Sequence, residues 1–167
     1  MTEPPSKRQV LLARLAAALA VGFFVAGVAW YGLSTDVQAR FWRDLVDRPG
    51  GPMTFRFLLQ PAMALLAALH DGIADARQGR TPYLWALITG SHHRVERLEE
   101  GLVATARILL LGFGMDAIYQ AVVLKTFYPA EMAVIAVLLA FVPYLLLRGP
   151  IARIARWWMA RRSGAPR

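Results

Sequence analysis

Residues 15–33 read LAAALAVGFFVAGVAWYGL, nineteen positions without a single charge. As a helix rising 1.5 Å per residue this run covers about 29 Å, enough to cross a hydrocarbon core of about 30 Å. Lys7, Arg8 and Arg14 precede it, and Trp30 and Tyr31 close its far end as interfacial aromatics do. The run is too long for the core of a cleavable signal, and no small-residue cleavage site follows it directly. The reading is an uncleaved first spanning helix, about 12–33, with its N-terminus in the cytoplasm. Ala18, Gly22 and Ala26 recur every four residues and offer a stripe along which another helix could approach.

The rest of the chain repeats the pattern. Its 167 residues are 57% hydrophobic yet carry 19 Lys+Arg against 11 Asp+Glu, and the apolar residues come in blocks rather than dispersed as in a soluble core. Residues 35–48 put Val37, Phe41, Trp42 and Leu45 toward one side and Arg40, Arg43, Asp44 and Asp47 toward the other. That is a helix lying in the membrane interface, stopped by Pro49-Gly50-Gly51-Pro52. Residues 57–69 alone are too short to cross. Extended to about 54–76 they span, with a kink at Pro61, Arg56 snorkelling at one end and His70 and Asp71 at the other. Thr81-Pro82 starts a short interfacial helix over 82–89, and the third span follows over about 92–125. The fourth, about 129–147, opens with Pro129 and Glu131; Gly149-Pro150 follows it, and a basic amphipathic tail over 150–163 lies at headgroup level.

These elements make an all-α integral membrane protein of a single domain, with four transmembrane helices and additional short interfacial amphipathic helices. With four spans, fourteen of the Lys and Arg residues fall on the side of the termini and five, Arg40, Arg43, Arg48, Arg56 and Lys125, on the other. The positive-inside rule then places both termini in the cytoplasm, in a cell inner membrane. Were 55–74 to re-enter instead, the N-terminus would move outside and the split would become fifteen to four, so the rule does not choose between the two. The absence of cysteine excludes disulfides and thiol chemistry. The basic excess has no stacking platform or groove-reading motif beside it, so the partner it implies is anionic lipid at the C-terminal tail rather than nucleic acid.

Two groups of residues could carry chemistry. Asp116 lies inside the third span, and an ionisable group there must face the bundle interior, a water-filled cavity or a partner. Arg56 and Gln60 reach a comparable depth on the second span, and Tyr119 and Gln120 lie near the same polar layer. One reading is a proton-accepting carboxylate in a transport path. The other is a buried ion pair that docks the second and third helices, with Gly112 and Gly114 allowing close approach. The second group is His70, Asp71, Asp75, Arg77 and Arg80, packed into eleven residues. Asp71 and Asp75 are four apart on one helix face and repel unless a cation lies between them. An arginine is the expected cation, since Arg77, Arg80, Arg94 and Arg97 lie at the same level. A metal site would recruit His70 with His92 or His93, but the spacing matches no tight metal signature.

DGIADAR resembles the opening of the CDP-alcohol phosphotransferase motif. However, three residues rather than two separate Asp71-Gly72 from Ala76-Arg77, and the motif's two later aspartates are missing. Membership is not assigned. No phosphate-binding glycine loop, nucleophile elbow or zinc-protease helix occurs either. No catalytic residue, metal or cofactor is therefore named. The expectation is a small bacterial inner-membrane protein acting by association, as an accessory or assembly subunit or as a homo-oligomer. The alternatives are a small channel or proton-coupled transporter using Asp116, and a metal-dependent lipid headgroup enzyme using the cluster from His70 to Arg80.

Overall fold

A computed structural model describes residues 5–51, 54–89 and 94–162. Seven α-helices follow in order among them: α1 Lys7–Tyr31, α2 Thr35–Asp47, α3 Arg56–Arg77, α4 Tyr83–Ile88, α5 Arg94–Tyr119, α6 Pro129–Ala136 and α7 Val142–Arg162. Five residues of wider, π-helical winding, Gln120–Leu124, prolong α5, and a second such turn, Val137–Phe141, joins α6 to α7. No strand occurs among the described residues. Four continuous helices, Lys7–Tyr31, Arg56–Arg77, Arg94–Leu124 and Pro129–Arg162, are long and apolar enough to cross a bilayer. Large apolar side chains such as Val21, Phe24, Leu58, Leu66 and Val122 lie exposed along them. These are the features of a multi-pass membrane protein.

Local chemistry sets the ends. Ser6 and Gln9 form a reciprocal capping box, the Gln9 amide donating to Ser6 Oγ at 3.3 Å and the Ser6 amide to Gln9 Oε1 at 2.8 Å. The box satisfies two end donors, so α1 starts more than a turn before the apolar run does. α3 is uninterrupted through Pro61 over 22 residues, about 33 Å of helix. Lys125 takes a left-handed conformation with φ of 51° and turns the chain from α5 into α6.

The fourth apolar run and the basic tail are joined through Gly149-Pro150 into one helix, and α7 continues to Arg162. Proline inside a helix loses one backbone hydrogen bond, which tertiary contacts must offset. Here α3 supplies them. Gly72 packs so closely on α7 that a Cβ there would stand 3.0 Å from the Arg148 carbonyl and 2.7 Å from Ile151 Cγ2, and Arg148 is itself pinned to α3, as described below.

Packing follows two groupings. α3 lies against α7, while α1 lies against α5 and α6, and α5 also touches α3. Their shared core is alanine-rich: Ala16, Ala64, Ala68, Ala106, Ala136 and Ala140 surround Leu109, Phe113, Met132 and Tyr144. Small residues let backbones approach, which matters where lipid removes the hydrophobic drive between helices. On α1 the contact falls on Gly27, whose Cα abuts Ala130, and not on the stripe of Ala18 and Gly22, which is exposed.

Candidate functional site

The structure gathers buried charge into two layers, one toward each end of the bundle. In the first, Arg56 Nη1 on α3 reaches Asp116 Oδ1 on α5 at 2.6 Å, each side chain 1% exposed. Gln120, one turn beyond Asp116, donates from Nε2 to Asp116 Oδ2 at 2.6 Å and to the Tyr128 carbonyl at 3.1 Å. Its Oε1 accepts from the Tyr128 amide at 2.7 Å. One side chain thus fixes the carboxylate and closes the turn between α5 and α6. Tyr119 sets its ring 5.2 Å from the Arg56 guanidinium carbon. Gln60 completes the layer, wedged where a Cβ on Gly112 would come 2.8 Å from its Nε2. Both amide atoms of Gln60 and Nη2 of Arg56 are buried without a hydrogen-bond partner among the described residues. The five polar residues read from the two helices therefore lie together. Gly114 does not take part; nothing stands within 4 Å of where its Cβ would be.

A second ion pair lies outside that layer. Arg40 of α2 meets Glu131 of α6 at 3.2 Å and stacks 3.7 Å from the Tyr128 ring centroid. Tyr31 donates to the Phe127 carbonyl at 2.8 Å, so α1, α2 and α6 are tied at their shared end.

The other layer is built around Arg148 of α7. Its Nε donates to Asp75 Oδ2 at 2.7 Å and its Nη2 to Asp75 Oδ1 at 3.0 Å, a fork that matches the carboxylate. Its Nη1 donates to the Tyr144 hydroxyl at 2.7 Å, and that hydroxyl donates to Asp71 Oδ2 at 2.6 Å. Arg148 therefore separates the two aspartates of α3, touching one directly and the other through a tyrosine. Arg97 joins Asp75 at 3.4 Å and Glu100 at 3.0 Å. Arg80 joins Glu100 at 3.0 Å and Asp75 at 3.8 Å. Three carboxylates and three arginines from α3, α5, α7 and the turn after α3 form one neutral cluster. Tyr83 seals it: its hydroxyl donates to the Arg97 carbonyl, and its ring lies 4.3 Å from the Arg148 guanidinium carbon. Burial pushes the Tyr83 hydroxyl up to about 12, against the nearby Arg148 charge, which draws it down.

Of the cluster read from sequence, Asp71, Asp75 and Arg80 come together. His70 is largely exposed and meets Asp71 at 3.0 Å through Nδ1, and Arg77 stands exposed at the end of α3. The expected cation is indeed arginine for Asp75, but its main partner comes from α7 rather than from the neighbouring turns. Arg148, Tyr144, Glu100 and Tyr83 were missed. Tyr144 and Arg148 are four apart on one helix face, a polar pair at the end of an otherwise oily run, and that spacing was the available signal.

Asp71 and Asp75 turn oxygens to Tyr144 and Arg148, and Asp116 lies in the other layer. Among the described residues no three His, Cys, Asp or Glu side chains are grouped to hold a metal ion. His92 and His93 lie outside the described residues. Beside the Arg148 cluster, an open cavity of about 620 Å³ separates α1, α3 and α5. No protein family, curated protein or solved structure matches the chain.

Proposed function

We propose that this chain is a small bacterial inner-membrane protein, with both termini cytoplasmic, that acts by association as an accessory or assembly subunit or as a homo-oligomer. One observation carries the reading. The six charged side chains buried among the described residues, Arg56, Asp75, Arg97, Asp116, Glu131 and Arg148, all have ion-pair partners within the chain. Charge held this way fixes how helices dock, and each of the buried carboxylates Asp75, Asp116 and Glu131 is committed to an arginine. The side bearing Arg77, Arg80 and the arginines of α7 is the cytoplasmic one under the positive-inside rule. The exposed face of α1 with Ala18 and Gly22 is open to a helix of another chain.

Since the chain has no cysteine, single-cysteine variants along α1 test this in the native membrane. Gly22→Cys should give a disulfide-linked adduct, while Ala16→Cys, in the core, should give none. A monomeric mass in mild detergent together with no adduct at any exposed position of α1 would overturn the reading.

A second reading, a small channel or proton-coupled transporter using Asp116, draws on the unpartnered atoms of Gln60 and Arg56 beside that carboxylate. It requires Asp116→Asn to abolish a flux in proteoliposomes while the protein still inserts and purifies normally. Loss of folding in that variant supports docking instead.

A further inference from the structure

The cavity between α1, α3 and α5 shares one wall with the Arg148 cluster, through Asp71, Asp75, Arg80, Glu100 and Arg148, and its lining has a direction. Its floor is apolar, with Leu12 of α1 and Val103 and Ala104 of α5. Along α5, Glu96, Glu99 and Glu100 line its outer part and Arg107 its inner part. Arg107 sits within the apolar run LVATARILLLG, and neither it nor Glu99 has an ion-pair partner among the described residues. An exposed arginine in a spanning segment demands an anion or a route to the headgroups.

The balance of charge narrows the occupant. Among the described residues, Asp71, Asp75 and the three glutamates line the cavity together with His70 and the three arginines Arg80, Arg107 and Arg148. Arg80, Arg97 and Arg148 are taken up by Asp75 and Glu100, so among the described residues the lining keeps an unmatched acid at its outer part, Glu99, and an unmatched base at its inner part, Arg107. A purely anionic headgroup is repelled at the outer part, and a simple cation leaves Arg107 unmet. A ligand that carries both charges, the anion deeper and the cation farther out, satisfies each end.

We propose that this cavity binds an aminoalkyl phosphate, with the phosphate at Arg107 and the primary ammonium at Glu99 and Asp71. Eight residues separate Glu99 from Arg107, about 12 Å along the helix. Helical side chains lean toward the N-terminus, so the guanidinium rises toward the carboxylates and leaves a gap suited to a phosphate and an ammonium two carbons apart. The polarity is that of phosphatidylethanolamine in the cytoplasmic leaflet, chains toward the hydrocarbon and ammonium toward water. A primary ammonium offers three N–H donors to carboxylates, whereas a trimethylated one offers none.

The test uses the full chain in mild detergent, with lipid retention read by native mass spectrometry and by thermal shift. Phosphatidylethanolamine, phosphatidylcholine, phosphatidylglycerol and soluble phosphoethanolamine are the four probes. Phosphatidylethanolamine should be retained about tenfold better than either other lipid. Arg107→Gln and Glu99→Gln, both at exposed positions, should each weaken that retention about tenfold, the scale of one charge-assisted hydrogen bond. Arg14→Gln, exposed on α1 outside the cavity, should leave it unchanged. Stabilisation by phosphoethanolamine equal to that by the lipid supports the same chemistry with a soluble source. Equal retention of phosphatidylcholine, stronger retention of phosphatidylglycerol, or indifference to both cavity substitutions overturns the proposal.

Discussion

Asp116 shows what a buried charge does when its partner is built into the next helix. The carboxylate loses its water in α5 and regains contacts from Arg56 and Gln120. Such a pair contributes little net stability compared with a well-packed apolar pair, but removing one member strands the other. Asp116→Asn should therefore lower unfolding stability by about 3–5 kcal/mol, measured by denaturant titration in detergent. The double variant Asp116→Leu with Arg56→Met should recover most of that loss. Failure of the double variant to recover would show that the pair specifies the docking geometry as well as balancing charge. Tyr83 gives a pH signature at the other layer. Its folded-state value is raised from 10.0 to about 12, so the folded chain holds that proton more tightly than the unfolded one. The resulting stability is complete below pH 10 and is lost as pH rises from 10 through about 12. Melting temperature should fall across that window, and Tyr83→Phe should start lower, having lost the bond to the Arg97 carbonyl, but fall less steeply.

At the scale of elements, contact geometry separates glycines that look alike in the sequence. Gly72 faces the Arg148 carbonyl, an atom that cannot move aside, whereas Gly22 faces open space within 4 Å. Gly72→Ala should destabilise by about 1–3 kcal/mol through overpacking, and Gly22→Ala should stay within about 0.5 kcal/mol in the isolated chain; thermal unfolding of the two variants decides it. The difference also marks what periodicity can and cannot reveal. The four apolar runs are legible because hydrocarbon thickness dictates their length. Which face of α1 meets its neighbours is not, because the small-residue stripe and the contact face share the same composition. Arg56, Gln60 and Asp116 were legible as one layer because depth can be counted from the ends of two helices. Arg148 was not, because Gly149-Pro150 directly after it resembles a stop. Only the close approach of Gly72 and the fork onto Asp75 show why the helix continues.

For the whole molecule, the two layers divide the work of holding a bundle whose outer surface is left to lipid. The layer at Arg56 and Asp116 fastens α3 to α5, and Gln120 extends it to the start of α6. The layer at Arg148 fastens α7 to α3 and α5. Together they join the α3/α7 and α1/α5/α6 groupings near both ends, so a re-entrant α3 would break both at once. That makes α3 the element on which topology turns. The absence of cysteine allows a direct measurement with a membrane-impermeant maleimide on single-cysteine variants. Thr35→Cys, in the segment after α1, should label from the outside of intact spheroplasts. Gln78→Cys, beyond the end of α3, should label only after permeabilisation. Labelling of both from outside would mean that α3 returns to the face it left and would break the charge layers described above. Reversed labelling would keep α3 as a span but invert the molecule, placing the arginine-rich end of α7 outside.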